Sequence, residues 1–194
     1  MINQTEDLIF VFSIVIATRD SERALVPTLA ALFPGVMAGI VREVIVADGG
    51  STDKTERVAD IAGCRFIAST EPLGARLKAA SASARGTWLM FLQAGVVPGA
   101  SWVDETIAFV EQSGLRDQPG AATFAPGGNR FAAAFRRLPG LLPAPSQGVI
   151  IAKSFYDSLG GHRGAAAEAN TNLLRRIGRR RLFALRTEVT MTDI

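Results

Sequence analysis

The 194-residue sequence is short of the side chains that build several common kinds of site. Its one cysteine, Cys64, excludes an internal disulfide and a cluster of cysteine metal ligands. Its one histidine, His162, excludes a His-rich metal centre. Neither Gly-x-x-x-x-Gly-Lys-Ser/Thr nor Gly-x-Gly-x-x-Gly occurs, which argues against a P-loop ATPase and a dinucleotide-binding dehydrogenase. Long apolar runs are missing as well. The longest early one, Leu8 to Ala17, is about half of the ~20 residues that a membrane helix takes. Glu6 and Asp7 precede it where a secretory leader would carry positive charge, so no leader is expected. Aromatic residues are few, at 7%, and none interleaves with the late arginines to stack on bases, so nucleic acid is not an expected partner.

What is present is a globular composition, 48% hydrophobic and 20% charged, long enough for one core. With no disulfide to protect, a reducing cytoplasm is the expected location. The net charge of +3 hides an asymmetry: residues 98–194 hold twelve bases against eight acids. Arg136, Arg137, Arg175, Arg176, Arg179, Arg180 and Arg181 carry most of that excess. Two readings stand side by side. One is a solvated helix face with its exit turn; the other is attraction to a phosphate-bearing ligand or to anionic lipid, with peripheral membrane contact.

The first half alternates regularly. Leu8–Ala17 and Glu43–Ala47 read as buried parallel strands, followed by shorter ones at Arg65–Ala68 and Thr87–Leu92. A helix carrying Leu25, Leu29 and Leu32 follows the first strand, and Pro27 argues that it starts late. Ser51 or Thr52 is placed to cap a second helix running to about Ala62, with Asp53 in its first turn. Gly74–Arg85 reads as a third, ended by Gly86. This β-α-β-α-β-α-β order predicts a parallel sheet covered by helices. Later elements are less regular: helices at Trp102–Gln112, Phe131–Arg137, Ser154–Leu159 and Glu168–Ile177, strands at Ala121–Ala125, Gly148–Ala152 and Arg181–Arg186, and a loop over Pro139–Pro145.

In an open parallel sheet, ligands bind beyond the carboxyl ends of the strands. Thr18–Ser21, Asp48–Asp53 and Gln93–Gly95 are all expected there. The blocks Ser13–Asp20 and Glu43–Thr55, with its Asp-Gly-Gly-Ser-Thr-Asp turn, resemble the opening of family 2 glycosyltransferases of the GT-A fold. The resemblance continues through Gly74–Arg76, Ala84–Gly86, Trp88–Leu92, Ser146–Gly148 and Leu159–Gly161. It implies a mostly parallel central sheet flanked by helices, in a single domain over 1–194. Residues 1–95 would form the nucleotide-binding half and 96–194 the acceptor-side half. It implies a nucleotide-diphosphate sugar of UDP or GDP type, held by Ala17, Thr18, Arg19, Asp20, Asp48, Gly49, Gly50, Asp53, Arg76, Gln93, Ala94 and Gly95. Asp48 would accept a hydrogen bond from the base, as an acceptor-only group can. Gln147 and Gly148 would face an acceptor of unknown identity. Plain alternatives remain for three of these residues: turn chemistry for Asp48, helix capping for Asp53 and an ordinary exposed charge for Arg76.

Two departures qualify the resemblance. The family holds Mg²⁺ or Mn²⁺ with an aspartate that aligns with Gly95, and a hard cation needs such oxygen ligands. Gln93 offers only a neutral oxygen. The acids of a late Glu-Asp-x-Asp-Leu pattern align with Ala169, Asn170 and Asn172, and the general base falls on Asn170, which cannot take up a proton. Glu168 could replace it only if the helix turned by about 100°. Arg163, Arg175 and Arg176 are candidates to replace the metal's charge. The expectation is therefore a metal-independent or weakly active glycosyltransferase; the alternative is an inactive nucleotide-binding or interaction module. His162 reads as an exposed loop residue, and Cys64 as an inert thiol.

Overall fold

A computed structural model describes residues 11–114, 119–127, 145–164 and 169–192. Along the chain, β1 (Phe12–Thr18), α1 (Glu22–Met37), β2 (Val41–Asp48), α2 (Thr55–Ile61), β3 (Arg65–Ala68), α3 (Leu73–Ala82) and β4 (Trp88–Gln93) realise the alternating first half. They are followed by β5 (Val96–Pro98), α4 (Trp102–Gly114), β6 (Ala121–Pro126) and a 3-10 turn at Pro145–Gln147. Then come β7 (Val149–Ala152), α5 (Lys153–Ser158), α6 (Ala169–Ile177), a 3-10 turn at Arg179–Arg181 and β8 (Leu182–Met191).

Among the described residues the strands form one eight-stranded sheet in the order β3-β2-β1-β4-β7-β6-β8-β5. The β3-β2-β1-β4 half is parallel; β7 runs antiparallel to both β4 and β6, and β5 antiparallel to β8. Successive side chains of a strand face opposite sides, so β1 feeds two cores. Phe12, Ile14 and Ile16 pack with Leu25 and Leu32 of α1, Ala59 of α2 and Trp102 of α4. Val15, on the other face, packs with Leu77 of α3, Phe155 and Tyr156 of α5 and Leu173 of α6. No helix among the described residues is long and apolar enough to cross a membrane.

Several boundaries differ from expectation for physical reasons. α1 does not start late: it begins at Glu22 and carries both Pro27 and Pro34 inside it. The burial of Leu25 and Leu32 and the turn bond from Leu25 N–H to the Ser21 carbonyl outweigh the donors that the prolines lack. α2 starts at Thr55, so neither Ser51 nor Thr52 caps it. The last strand is ten residues long because it pairs first with β6 and then with β5. α6 is described from Ala169. Glu168, the expected helix at Phe131–Arg137 and all but the last residue of the Pro139–Pro145 loop lie outside the described residues. Cys64 precedes β3, and burial pushes its thiol up to about 11, which keeps it protonated and inert at neutral pH.

Candidate active site

β1, β2 and β4 end side by side and in register: Thr18 is opposite Asp48, and Ala17 is opposite Gln93. α1 packs on one face of the sheet and α3 on the other, so the connections diverge between β1 and β4. A crevice therefore opens beyond the carboxyl ends of these strands. The three polar segments singled out in the sequence converge there.

Asp48 is the polar centre of the first two segments and is 1% exposed. Its Oδ1 accepts hydrogen bonds from the hydroxyls of Thr18, at 2.7 Å, and of Ser51. Its Oδ2 accepts the backbone N–H groups of Gly50 and Ser51 at 2.8 and 2.7 Å. Burial pushes the carboxyl's pKa up, but the bonds from Ser51, Thr18 and Gly50 together outweigh it and hold the value low. A carboxylate has about four acceptor positions, and all are taken. For Asp48 to receive an N–H from a base, the Ser51 or Thr18 hydroxyl must turn away.

Asp20 and Asp53 lace the same loops together. Asp20 adopts φ +46°, donates its N–H to the Ser51 hydroxyl at 2.8 Å and accepts the Thr52 N–H at 2.7 Å. Asp53 accepts the N–H of Glu22 at 2.9 Å and that of Thr55 at 3.0 Å, so one carboxylate serves the starts of α1 and α2. Capping, the plain alternative for Asp53, is thus what its side chain does. Burial opposes ionisation slightly, and these bonds, with that of the Thr55 hydroxyl, hold its pKa low.

Arg76, in the first turn of α3, lies across the ends of β1 and β2. Its Nη1 donates to the carbonyls of Ala47 at 2.7 Å and Thr18 at 3.2 Å, and its Nε donates to Glu71 at 3.2 Å. The guanidinium rests on Gly49, where a Cβ would stand 3.0 Å from Nη2. Burial lowers the Arg76 pKa; the nearby Asp48 opposes this and the nearby Arg19 adds to it. Arg19 itself is exposed.

Gln93 ends β4, the Ala94 N–H donates to Ala17 at 3.1 Å, and the Gly95 N–H donates to Ala24 and Thr28 of α1 at 3.0 and 2.9 Å. Gly95 has φ +92°, a backbone region that side chains make costly. A Cβ there would meet the Thr192 carbonyl oxygen, just past β8, at 3.3 Å. No group of three or more His, Cys, Asp or Glu among the described residues could hold a metal ion. With glycine at 95, a neutral Gln93 and a saturated Asp48, the donor set does not fit Mg²⁺ or Mn²⁺. Of the two residues expected to face an acceptor, Gln147 turns inward and donates to the Phe124 carbonyl at 2.7 Å, while Gly148 is wedged between Leu92 and Phe124.

The largest surprise is His162. It is fully buried rather than exposed, with Nδ1 2.9 Å from the Tyr156 hydroxyl and Nε2 3.0 Å from Asn170 Oδ1. Its ring packs edge-on against Phe91 of β4. The Gly160-Gly161 turn folds it back under α6, and the period of no single element announces that. Burial pushes its pKa down to about 4, against the Asn170 bond that favours the charged form. Asn170, the position at which the resemblance leads one to expect a base, is thus part of a neutral hydrogen-bonded chain. Of the arginines offered as metal substitutes, Arg176 is committed to the carbonyls of Leu159 and Gly161, both at 2.7 Å, and to Asn172 at 3.0 Å. Arg163 and Arg175 are exposed.

This architecture matches solved structures at low sequence identity. Glucosyl-3-phosphoglycerate synthase from Mycobacterium tuberculosis, in complex with Mn²⁺, UDP and glucosyl-3-phosphoglycerate, is 20% identical with a TM-score of 0.72. The match covers 95% of this chain and 73% of that one. The same enzyme with Mg²⁺ and UDP gives 19% identity and a TM-score of 0.74, over 95% and 72% of the two chains. The crystal structure of a mycobacterial protein gives 20% identity and a TM-score of 0.71, over 95% and 68%. None of the curated proteins matches the sequence. The family model for glycosyl transferase family 2 matches residues 13–131, more than half of the sequence. With strand order, crevice and family model in agreement, the chain belongs to glycosyl transferase family 2.

Proposed function

We propose that this protein transfers a hexosyl group from a nucleotide-diphosphate sugar, of UDP or GDP type, without a divalent ion held at position 95. The in-register meeting of Thr18, Asp48 and Gln93 at one crevice carries the reading. Residues 1–95 hold the nucleotide: the base lies over Gly49 and Gly50, between the Thr18–Asp20 loop and Arg76. Ala94 and Gly95 floor the crevice, and residues 96–194 supply the acceptor side, with Gln147 and Gly148 shaping its wall. The UDP complexes of the similar synthase support the choice of nucleotide. Asn170 hydrogen-bonds and orients an acceptor but takes no proton from it. Exposed arginines at the end of α6 and the turn after it, among them Arg175 and Arg180, give the same reading a place at an anionic membrane surface on the cytoplasmic side.

One observation favours a second reading. The hydrogen-bonded Asn170–His162 pair puts two neutral side chains at the expected base position, with no carboxylate beside them among the described residues, which suits an inactive nucleotide-binding module. Release of UDP from UDP-glucose and of GDP from GDP-mannose, with Mn²⁺ and with EDTA, separates the two. Turnover that is equal in both conditions supports transfer. Nucleotide binding without turnover supports the module.

A further inference from the structure

The ion pairs among the described residues join Arg65 and Arg85 to Glu43, and Lys153 to Asp157. Arg19, Arg76 and Arg163 take part in none of them. Arg76 spends Nε and Nη1 on carbonyls, and its Nη2 makes no hydrogen bond among the described residues. Arg19 is exposed and close enough to repel it.

Arg163 is brought to the same place by a backbone contact. A Cβ on Gly74 would stand 2.1 Å from the Arg163 carbonyl oxygen, so only glycine lets segment 163–164 lie on the first turn of α3. That turn is the one that carries Arg76. The Arg163 side chain is exposed, and its charge reaches Arg176, whose own guanidinium is bound to carbonyls. The acids at this end, Asp20, Asp48 and Asp53, already accept N–H and O–H donors from their own loops.

We propose that Arg19, Arg76 and Arg163 together supply the counter-charge for the donor's diphosphate, so that the nucleotide binds with no divalent cation; this rests on the nucleotide-sugar reading above. A guanidinium offers paired N–H donors that match phosphate oxygens, and two or three of them balance the charge that a metal would. They do so from α3 and its neighbouring loops, on the opposite side of the crevice from Gly95 and Thr192.

Calorimetry of the whole protein with UDP, GDP and uridine tests this. UDP or GDP binds equally in EDTA and in Mn²⁺, and the affinity falls steeply with added salt. Arg163→Ala weakens the diphosphate by about tenfold or more, while uridine, which lacks phosphate, changes by less than about threefold; Arg76→Ala weakens UDP and GDP too, and uridine is no control for it because Arg76 also flanks the base. Arg19→Ala acts in the same direction. Because Arg76 also holds two strand-end carbonyls, Arg163→Ala and Arg19→Ala carry the test if Arg76→Ala does not fold. Binding that appears only with Mn²⁺, variants that leave UDP unchanged, or equal losses for UDP and uridine on Arg163→Ala would each overturn the counter-charge proposal while leaving the nucleotide reading in place. No binding of UDP, GDP or uridine in any condition overturns both.

Discussion

At the ends of β1 and β2, N–H and O–H donors surround the carboxylates of Asp20, Asp48 and Asp53, and those on Asp48 and Asp53 hold their pKa values low. Beyond β4 and on α6, the positions where the resemblance leads one to expect acids hold Gly95 and Asn170, and the group beside Asn170 is a neutral imidazole. One sheet thus supports two polar regions of opposite character. The first keeps negative charge, buried at Asp48 and exposed at Asp20 and Asp53, by supplying donors, which fixes loop shape. The second has removed its charge, and its remaining polar atoms bond one another. The carboxylates of the first region also hold the fold, since they join the starts of α1 and α2 to the ends of β1 and β2.

The comparison breaks most readily at Asp48. Asp48→Ala strands two hydroxyls and two N–H groups, so urea denaturation will show a loss of about 3 kcal/mol, with nucleotide binding lost as well. Acid titration separates the regions by pH. The folded pKa of His162 lies near 4, below the ordinary 6.5, so the unfolded chain binds the proton first. Stability that is complete above pH 6.5 therefore falls on the way to pH 4, by on the order of 3 kcal/mol, and His162→Phe flattens that slope. The depressed carboxyls of Asp48 and Asp53 act in a lower window: their contribution is complete above the ordinary carboxylate value of 3.8 and is lost as pH falls through the folded values.

Smaller effects sharpen the contrast. Gly95→Asp places a side chain at φ +92° against Thr192, and thermal unfolding will show about 2 kcal/mol of destabilisation with no gain in Mn²⁺ affinity by calorimetry. Lys153→Ala, which removes the exposed i,i+4 ion pair with Asp157 on α5, will shift stability by less than about 0.5 kcal/mol, as chemical denaturation will show.

Much of this was legible in the sequence because apolar runs buried on both faces of a sheet leave a strong signal. β3 was located to the residue, and the three converging loops followed from strand order alone. The parts that escaped depend on partners far along the chain. β5 has three residues and exists because β8 pairs with it. β8 itself buries Leu185, Thr187 and Val189 at every second position, a period that was present but masked by the intervening charges. At the site, Asp20 meets Thr52 and Asp53 meets Glu22 across more than thirty residues. His162 is buried by Tyr156, Asn170 and Phe91 together, which no local pattern reports.

The most direct test is a crystal structure of the protein soaked with UDP and Mn²⁺, with anomalous data collected for manganese. The account predicts UDP over Gly49 and Gly50, its diphosphate against Arg76 and Arg163, and no manganese peak beside Gly95. A manganese ion bridging the diphosphate and a carboxylate of this chain would contradict it.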